Sequence, residues 1–180
     1  MTTDYQQAYM DAVERCWVRD GDLGLSTRKV DAEVSKALGR SPGWSNVVPG
    51  RWMGKAGLVA AVFERAVGEL WAWMATAVVC ADTTGPVAAL EWLWKELRDR
   101  PFLACLLATG IGPEGRESDD LMQARVRLLR VLGSAAGVEA FHGLVAGEIA
   151  GRWRPTDDER RDALRAVLVT RHAIPERSSA

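Results

Sequence analysis

Asn46 carries the side chain best suited to reading a base, because its amide can donate to and accept from one adenine edge at once, and Ser45 beside it can bond base edges of either kind. Trp44 offers an apolar surface either to a thymine methyl or to the underside of its own helix. Thr27, Arg28, Arg51 and Lys55 flank them and are of the types that hold phosphate oxygens. Lys55 also lies near the start of a helix, where free N–H groups face an anion. Arg40 and Ser41, at a turn between two helices, complete the candidate DNA contacts. Residues 24–55 hold Arg28, Lys29, Lys36, Arg40, Arg51 and Lys55 against Asp31 and Glu33, a local excess of four positive charges in a chain of net charge −1 and pI near 6.2. The whole protein is therefore no general polyanion binder, and a nucleic-acid footprint must be local.

Other chemistries find less support. Gly110-Ile111-Gly112-Pro113-Glu114-Gly115 satisfies the GxGxxG expression, but no strand precedes it and Pro113 interrupts the segment that would open a phosphate-binding helix, so a flexible interhelical loop is expected. His142 and His172 are the only histidines, and neither has metal-ligand spacing; His142 is expected to be structural, and neither metal nor cofactor is expected. Cys16, Cys80 and Cys105 are odd in number and far apart, which suits a reducing cytoplasm better than a disulfide framework. No nucleophile elbow or other local catalytic pattern points to an enzyme.

The elements that must position these residues are helical. Tyr5, Tyr9, Ala12, Val13, Cys16 and Trp17 recur at helical spacing until Asp20-Gly21-Asp22, and a second helix runs from Thr27 to Leu38 with Gly39 to end it. Ser41-Pro42 has the form of an N-cap and first-turn proline, so a short third helix is expected to begin there and to stop before Pro49-Gly50. A long helix follows from about Met53 to Ala81, with Leu58, Val62, Ala66, Leu70, Met74 and Ala77 inward. Further helices are expected over 86–98, 101–109, 119–132, 135–152 and 157–172, the last opened by a capping box at Thr156 and Glu159. The polar N-terminus has no signal-peptide pattern, and the longest uncharged apolar stretch, 70–81, is well short of the roughly 18 residues of a bilayer span, so no membrane partner is expected. The class is all-α. Residues 1–52 are expected to form an N-terminal three-helix DNA-binding domain with a helix-turn-helix, and residues 53–180 a second helical domain, to which a family resemblance assigns ligand binding and dimerisation.

Val34-Ser35-Lys36-Ala37-Leu38-Gly39-Arg40-Ser41 and Trp52-Met53-Gly54-Lys55-Ala56-Gly57-Leu58 resemble the TetR (AcrR-like) family of bacterial transcriptional regulators, at its second helix and turn and at the start of its long fourth helix. The resemblance covers about residues 8–65; the family's recognition-helix tyrosine is absent, and the stretch from Gly39 to Trp52 is a few residues longer. The resemblance implies a homodimer that binds a palindromic double-stranded operator, with a small-molecule site in the second domain whose occupancy changes the spacing of the two DNA-reading heads. Trp71, Met74, Trp92 and Cys105 are the candidates to wall a site for an apolar or aromatic effector, with core filling as their other use. Gly143, Gly147 and Gly151 recur every fourth residue and suggest a close helix contact; with Leu164, Val167 and Leu168 they are the candidate dimer interface, which the family builds as a four-helix bundle. The rival readings are a helical protein-interaction or adaptor domain that has lost DNA binding and, third, an enzyme.

Overall fold

Glycines and prolines punctuate this chain where a helix must stop or start, and the computed structural model, which describes residues 3–40, 42–112 and 117–169, follows them closely. α1 (Thr3–Gly24) carries a break at Gly21, where φ is 69°. α2 (Thr27–Leu38) opens on Ser26, whose hydroxyl accepts from the Lys29 N–H, and closes on Gly39 in the left-handed region at φ 68°. α3 (Trp44–Trp52) is followed by α4 (Lys55–Thr84), a helix of 30 residues. Then come α5 (Pro86–Asp99) and α6 (Pro101–Thr109), each with proline in its first turn, where the missing N–H costs nothing. α7 (Asp119–Leu132) and α8 (Ala135–Ile149) are capped by Ser118 and Ser134, and α9 (Asp157–Val169) completes the described chain. The fold is all-α. No single helix among the described residues is long and apolar enough to cross a membrane.

Boundaries of α3, α4 and α8 differ from the sequence reading, α4 running Lys55–Thr84 where Met53 to Ala81 is expected. α3 begins at Trp44 with Gly43, at φ 79°, in the cap position, and Ser41 lies outside the described residues. α3 continues through Pro49, which has no N–H to give the Ser45 carbonyl. Both residues are exposed, so solvent can take the vacant acceptor and the usual cost of an interior proline is reduced. α8 ends at Ile149, so Gly151 lies beyond the helix, at φ 66°. The C-terminal extension expected for α9, with His172, falls outside the described residues.

The described residues group into two compact units that divide α4 between Gly68 and Glu69; the first also includes the short bridge between Ile111 and Glu117. In the first unit, Tyr9, Ala12, Val13, Cys16 and Trp17 of α1 are buried with Val30 and Val34 of α2, Val48 of α3 and Leu58, Val62 and Ala66 of α4. Trp17 meets Phe63 edge-on at 4.8 Å. Arg65 of α4 binds Glu14 at 2.6 Å and Asp11 at 3.3 Å, tying α4 to α1.

The second unit buries Leu90, Leu93, Trp94 and Leu97 of α5, all four larger side chains of α6 from Phe102 to Leu107, Leu121, Leu128 and Leu132 of α7, Val138, Phe141 and Val145 of α8, and Leu164 and Val167 of α9. α8 packs against α5, α6, α7 and α9. Among the described residues the α8 glycine with close neighbours is Gly137, where a Cβ would stand 3.5 Å from the Val167 carbonyl and 3.0 Å from the Ser134 hydroxyl.

Candidate nucleic-acid interface

α3 is short, and its two sides differ in kind. Val48 is fully buried, while Ser45, Asn46, Pro49 and Gly50 share an exposed face at the i, i+1, i+4, i+5 spacing of one helix side. The apolar side is held by Tyr9 of α1, whose ring meets Trp44 edge-on at 5.9 Å and Trp52 at 6.3 Å. Trp44 therefore packs beneath its helix, the second of the two uses its position allowed. Asn46 lies outward in the first turn, close to Gly43, where a Cβ would come within 3.0 Å of the amide nitrogen.

Gly57 fixes how α4 leaves α3. A Cβ at Gly57 would overlap the carbonyl of Trp52, so only glycine fits the corner. Met53, at φ 56°, is 94% exposed there, and its N–H closes α3 on the Pro49 carbonyl. Lys55 donates to the backbone carbonyl of Leu25 at 2.5 Å, which anchors the start of α4 to the segment before α2 and occupies part of a side chain expected to hold phosphate.

The charges of the patch sort into neutralised and open ones. Lys29 and Arg19 both bind Asp20 at 3.0 Å, and these two cations hold the Asp20 carboxyl down to about 2. Arg19 also binds Glu33 at 2.8 Å, with Arg15 at 3.6 Å, which lowers Glu33 below the ordinary carboxylate range. Glu33 is thus covered by arginines of α1, while Asp31, the patch's other carboxylate, accepts from the Tyr9 hydroxyl at 2.7 Å. Thr27, Arg28, Lys36 and Arg51 are exposed, and among the described residues Arg28, Lys36 and Arg51 form no ion pair. The Arg40 guanidinium sits 5.2 Å from the centre of the Tyr5 ring.

The candidate effector residues have four different surroundings. Met74 is buried in the core. Trp71 is half-buried with the Arg127 guanidinium 3.8 Å above its ring. Trp92 and Cys105 are half-buried, and burial pushes the Cys105 thiol up, which keeps it protonated. The fully buried tryptophan of α5 is Trp94, whose indole N–H donates to Glu148 at 2.6 Å. Ala89, Leu90, Leu93, Trp94 and Leu97 follow one helical stripe, and that periodicity is the signal in the sequence that marks it.

The interface candidates also divide. Gly143 and Gly147 have open space where a Cβ would stand, so they make no close contact among the described residues. Leu164 and Val167 are buried in their own protomer against the second unit's core, and Leu168 is half-buried. The first two are therefore not surfaces a partner can reach, and Gly151 is not on the α8 face at all.

His142 is 7% exposed, and neither ring nitrogen has a hydrogen-bond partner among the described residues. Burial, and then the charge of Arg125, lower it to about 4, so the ring is neutral. Gly110 caps α6 at φ 68°, so the GxGxxG segment follows an α-helix and lacks the strand that a dinucleotide site requires; residues 113–116 lie outside the described chain. Among the described residues no group of three or more His, Cys, Asp or Glu is placed to hold a metal ion. No protein-family model, curated protein or solved structure matches the chain.

Proposed function

We propose that the chain is a DNA-binding regulator of the helix-turn-helix kind, with α2, the Gly39 turn and α3 as its reading unit. The observation that carries this reading is the two-sidedness of α3: Val48, Trp44 and Trp52 hold one side to α1, and Ser45, Asn46, Pro49 and Gly50 leave the other side low and free of bulk. A helix so held can approach a major groove closely, with Asn46 bidentate on an adenine and Ser45 on a neighbouring edge. Arg28 and Arg51, which pair with no carboxylate among the described residues, take phosphates on either side.

In this reading residues 1–52 are the DNA-binding domain and the remainder is the ligand-binding and dimerisation domain. Two protomers read the half-sites of a palindromic operator in the cytoplasm, where the three free cysteines stay reduced. An effector acts by binding one arrangement of the dimer more tightly than the other, which releases the operator and makes the protein a repressor. No catalytic step is involved. A fluorescence-anisotropy titration of the full chain on a mixed-sequence duplex across a salt series tests the reading. Binding should weaken steeply with salt, and Arg28→Ala or Arg51→Ala should each reduce the slope by about one unit, the share of a single phosphate. Binding that is absent at low salt would overturn it.

A further inference from the structure

Glu91, Lys95 and Arg98 recur on α5 at the i, i+4, i+7 spacing of one helix face, and the first turns of α9 set Asp157, Arg160 and Arg161 across from them. These six side chains line a half-open cleft of about 370 Å³ inside the second unit, four of them cationic and two acidic. Its polar lining differs in kind from the apolar wall expected of Trp71, Met74, Trp92 and Cys105.

The arginines that line the cleft are tightly held. Glu148, with only 13% of its side chain exposed, accepts from the Trp94 indole at 2.6 Å and from Arg160 Nη2 at 3.0 Å, and stands 3.7 Å from Arg98 Nη1. Arg160 gives Nη1 to Asp157 at 2.7 Å and lies over the Trp94 ring at 5.6 Å. Arg161 binds Glu91 at 2.5 Å. The arginines are thus held in place by carboxylates, and Glu91 and Asp157 are committed to orienting donors.

Two groups remain unanswered. Among the described residues Arg160 Nε is buried without a hydrogen-bond acceptor, on a side chain 14% exposed. Lys95, at the exposed side of the cleft, forms no ion pair among the described residues. A buried N–H without an acceptor is costly, but Arg160 Nε is closed to the cleft unless its side chain shifts, so the group open to a ligand without rearrangement is the Lys95 ammonium.

We propose that this cleft binds a small multivalent oxyanion, a compound bearing phosphate or carboxylate groups, through Lys95, Arg98, Arg160 and Arg161. Guanidinium forks match the oxygen pairs of both groups, and the ammonium of Lys95 adds an adaptable point charge at the mouth. The cleft volume lies at the low end of the range for small-molecule sites, which favours a compact, highly charged ligand. The site is independent of the DNA-reading assignment, since every residue in it lies in the second unit.

Isothermal titration calorimetry of the full chain with pyrophosphate and, separately, with citrate, at constant ionic strength against a chloride control, tests the assignment. One saturable site per chain is expected for at least one of them, and Lys95→Glu should weaken it by about tenfold or more, the worth of one charge-assisted hydrogen bond. Lys95 is exposed and pairs with no carboxylate among the described residues, so the variant should melt as the parent does without ligand; Lys95→Gln serves as a second variant with a milder loss. Tighter pyrophosphate binding assigns the site to phosphate compounds, and tighter citrate binding to carboxylates. No saturable binding of either, or binding undiminished in Lys95→Glu with Arg161→Ala, overturns the proposal.

Discussion

The hydroxyl of Tyr9 donates to the Asp31 carboxylate at 2.7 Å, while its ring lies edge-on to both Trp44 and Trp52. One α1 side chain thereby binds α2 by its polar end and both ends of α3 by its apolar body. Burial, with the neighbouring Asp31, raises the phenol well above its ordinary range and keeps it protonated. Tyr9→Phe keeps the ring packing and leaves Asp31 without this donor, so a destabilisation of about 1 kcal/mol is expected in urea unfolding, with sequence preference on DNA unchanged. Tyr9→Ala removes the support of α3 itself and should cost about 3 kcal/mol or more, with loss of DNA binding at temperatures where the chain is still folded.

The corner at Gly57 makes a sharper prediction. Because a Cβ there overlaps the Trp52 carbonyl, even Gly57→Ala forces α3 and α4 apart. Alanine ordinarily stabilises a helix by about 1 kcal/mol over glycine, so a melting temperature that falls instead of rising identifies the steric clash.

His142 makes stability depend on pH. The folded chain holds it near 4 against an ordinary 6.5, so between those values the unfolded chain carries the extra proton. Stability from this group is fully present above pH 6.5, declines as the pH falls, and is gone near pH 4, roughly 3 kcal/mol in all. Unfolding measured at pH 7 and pH 5 should differ by about 2 kcal/mol more in the parent than in His142→Leu, which has nothing to protonate. Equal pH dependence in the two proteins would show that the ring is hydrated or paired.

Leu164→Asp and Gly147→Leu should separate folding from assembly. Leu164 is fully buried, so an aspartate there should unfold the protomer, at a cost of about 3 kcal/mol or more. Gly147 faces open space within the protomer, so leucine is accommodated there, and a dimer joined through that face should dissociate in sedimentation without loss of helicity. A Gly147→Leu protein that sediments as the parent does would move the interface elsewhere.

Much of this architecture is legible in the chain because its stops are chemical. Pro101 and Gly110 bracket α6, Asp119 and Gly133 bracket α7, and the reciprocal bonds of Thr156 and Glu159 open α9 as their spacing predicts. α3 is less legible because Ser41-Pro42 has the chemistry of a cap while Gly43 takes that position, and because an exposed Pro49 can remain inside a helix. The role of Gly57 depends on a carbonyl of another helix, and that of Glu148 on partners 54 and 12 residues away, distances at which local periodicity carries no information. The glycine spacing of α8 misleads for a related reason: the close approach is made at Gly137, outside the repeat.

Selection of bound duplexes from a random-sequence pool by the full chain tests the DNA-reading assignment most directly. The account predicts an enriched palindrome whose half-site centres lie about one helical turn, or a multiple of it, apart, and Asn46→Ala should relax preference at one position in each half-site by about 1 to 3 kcal/mol. A pool that emerges without enrichment, or an Asn46→Ala protein that selects the same sequence as strongly as the parent, would contradict it.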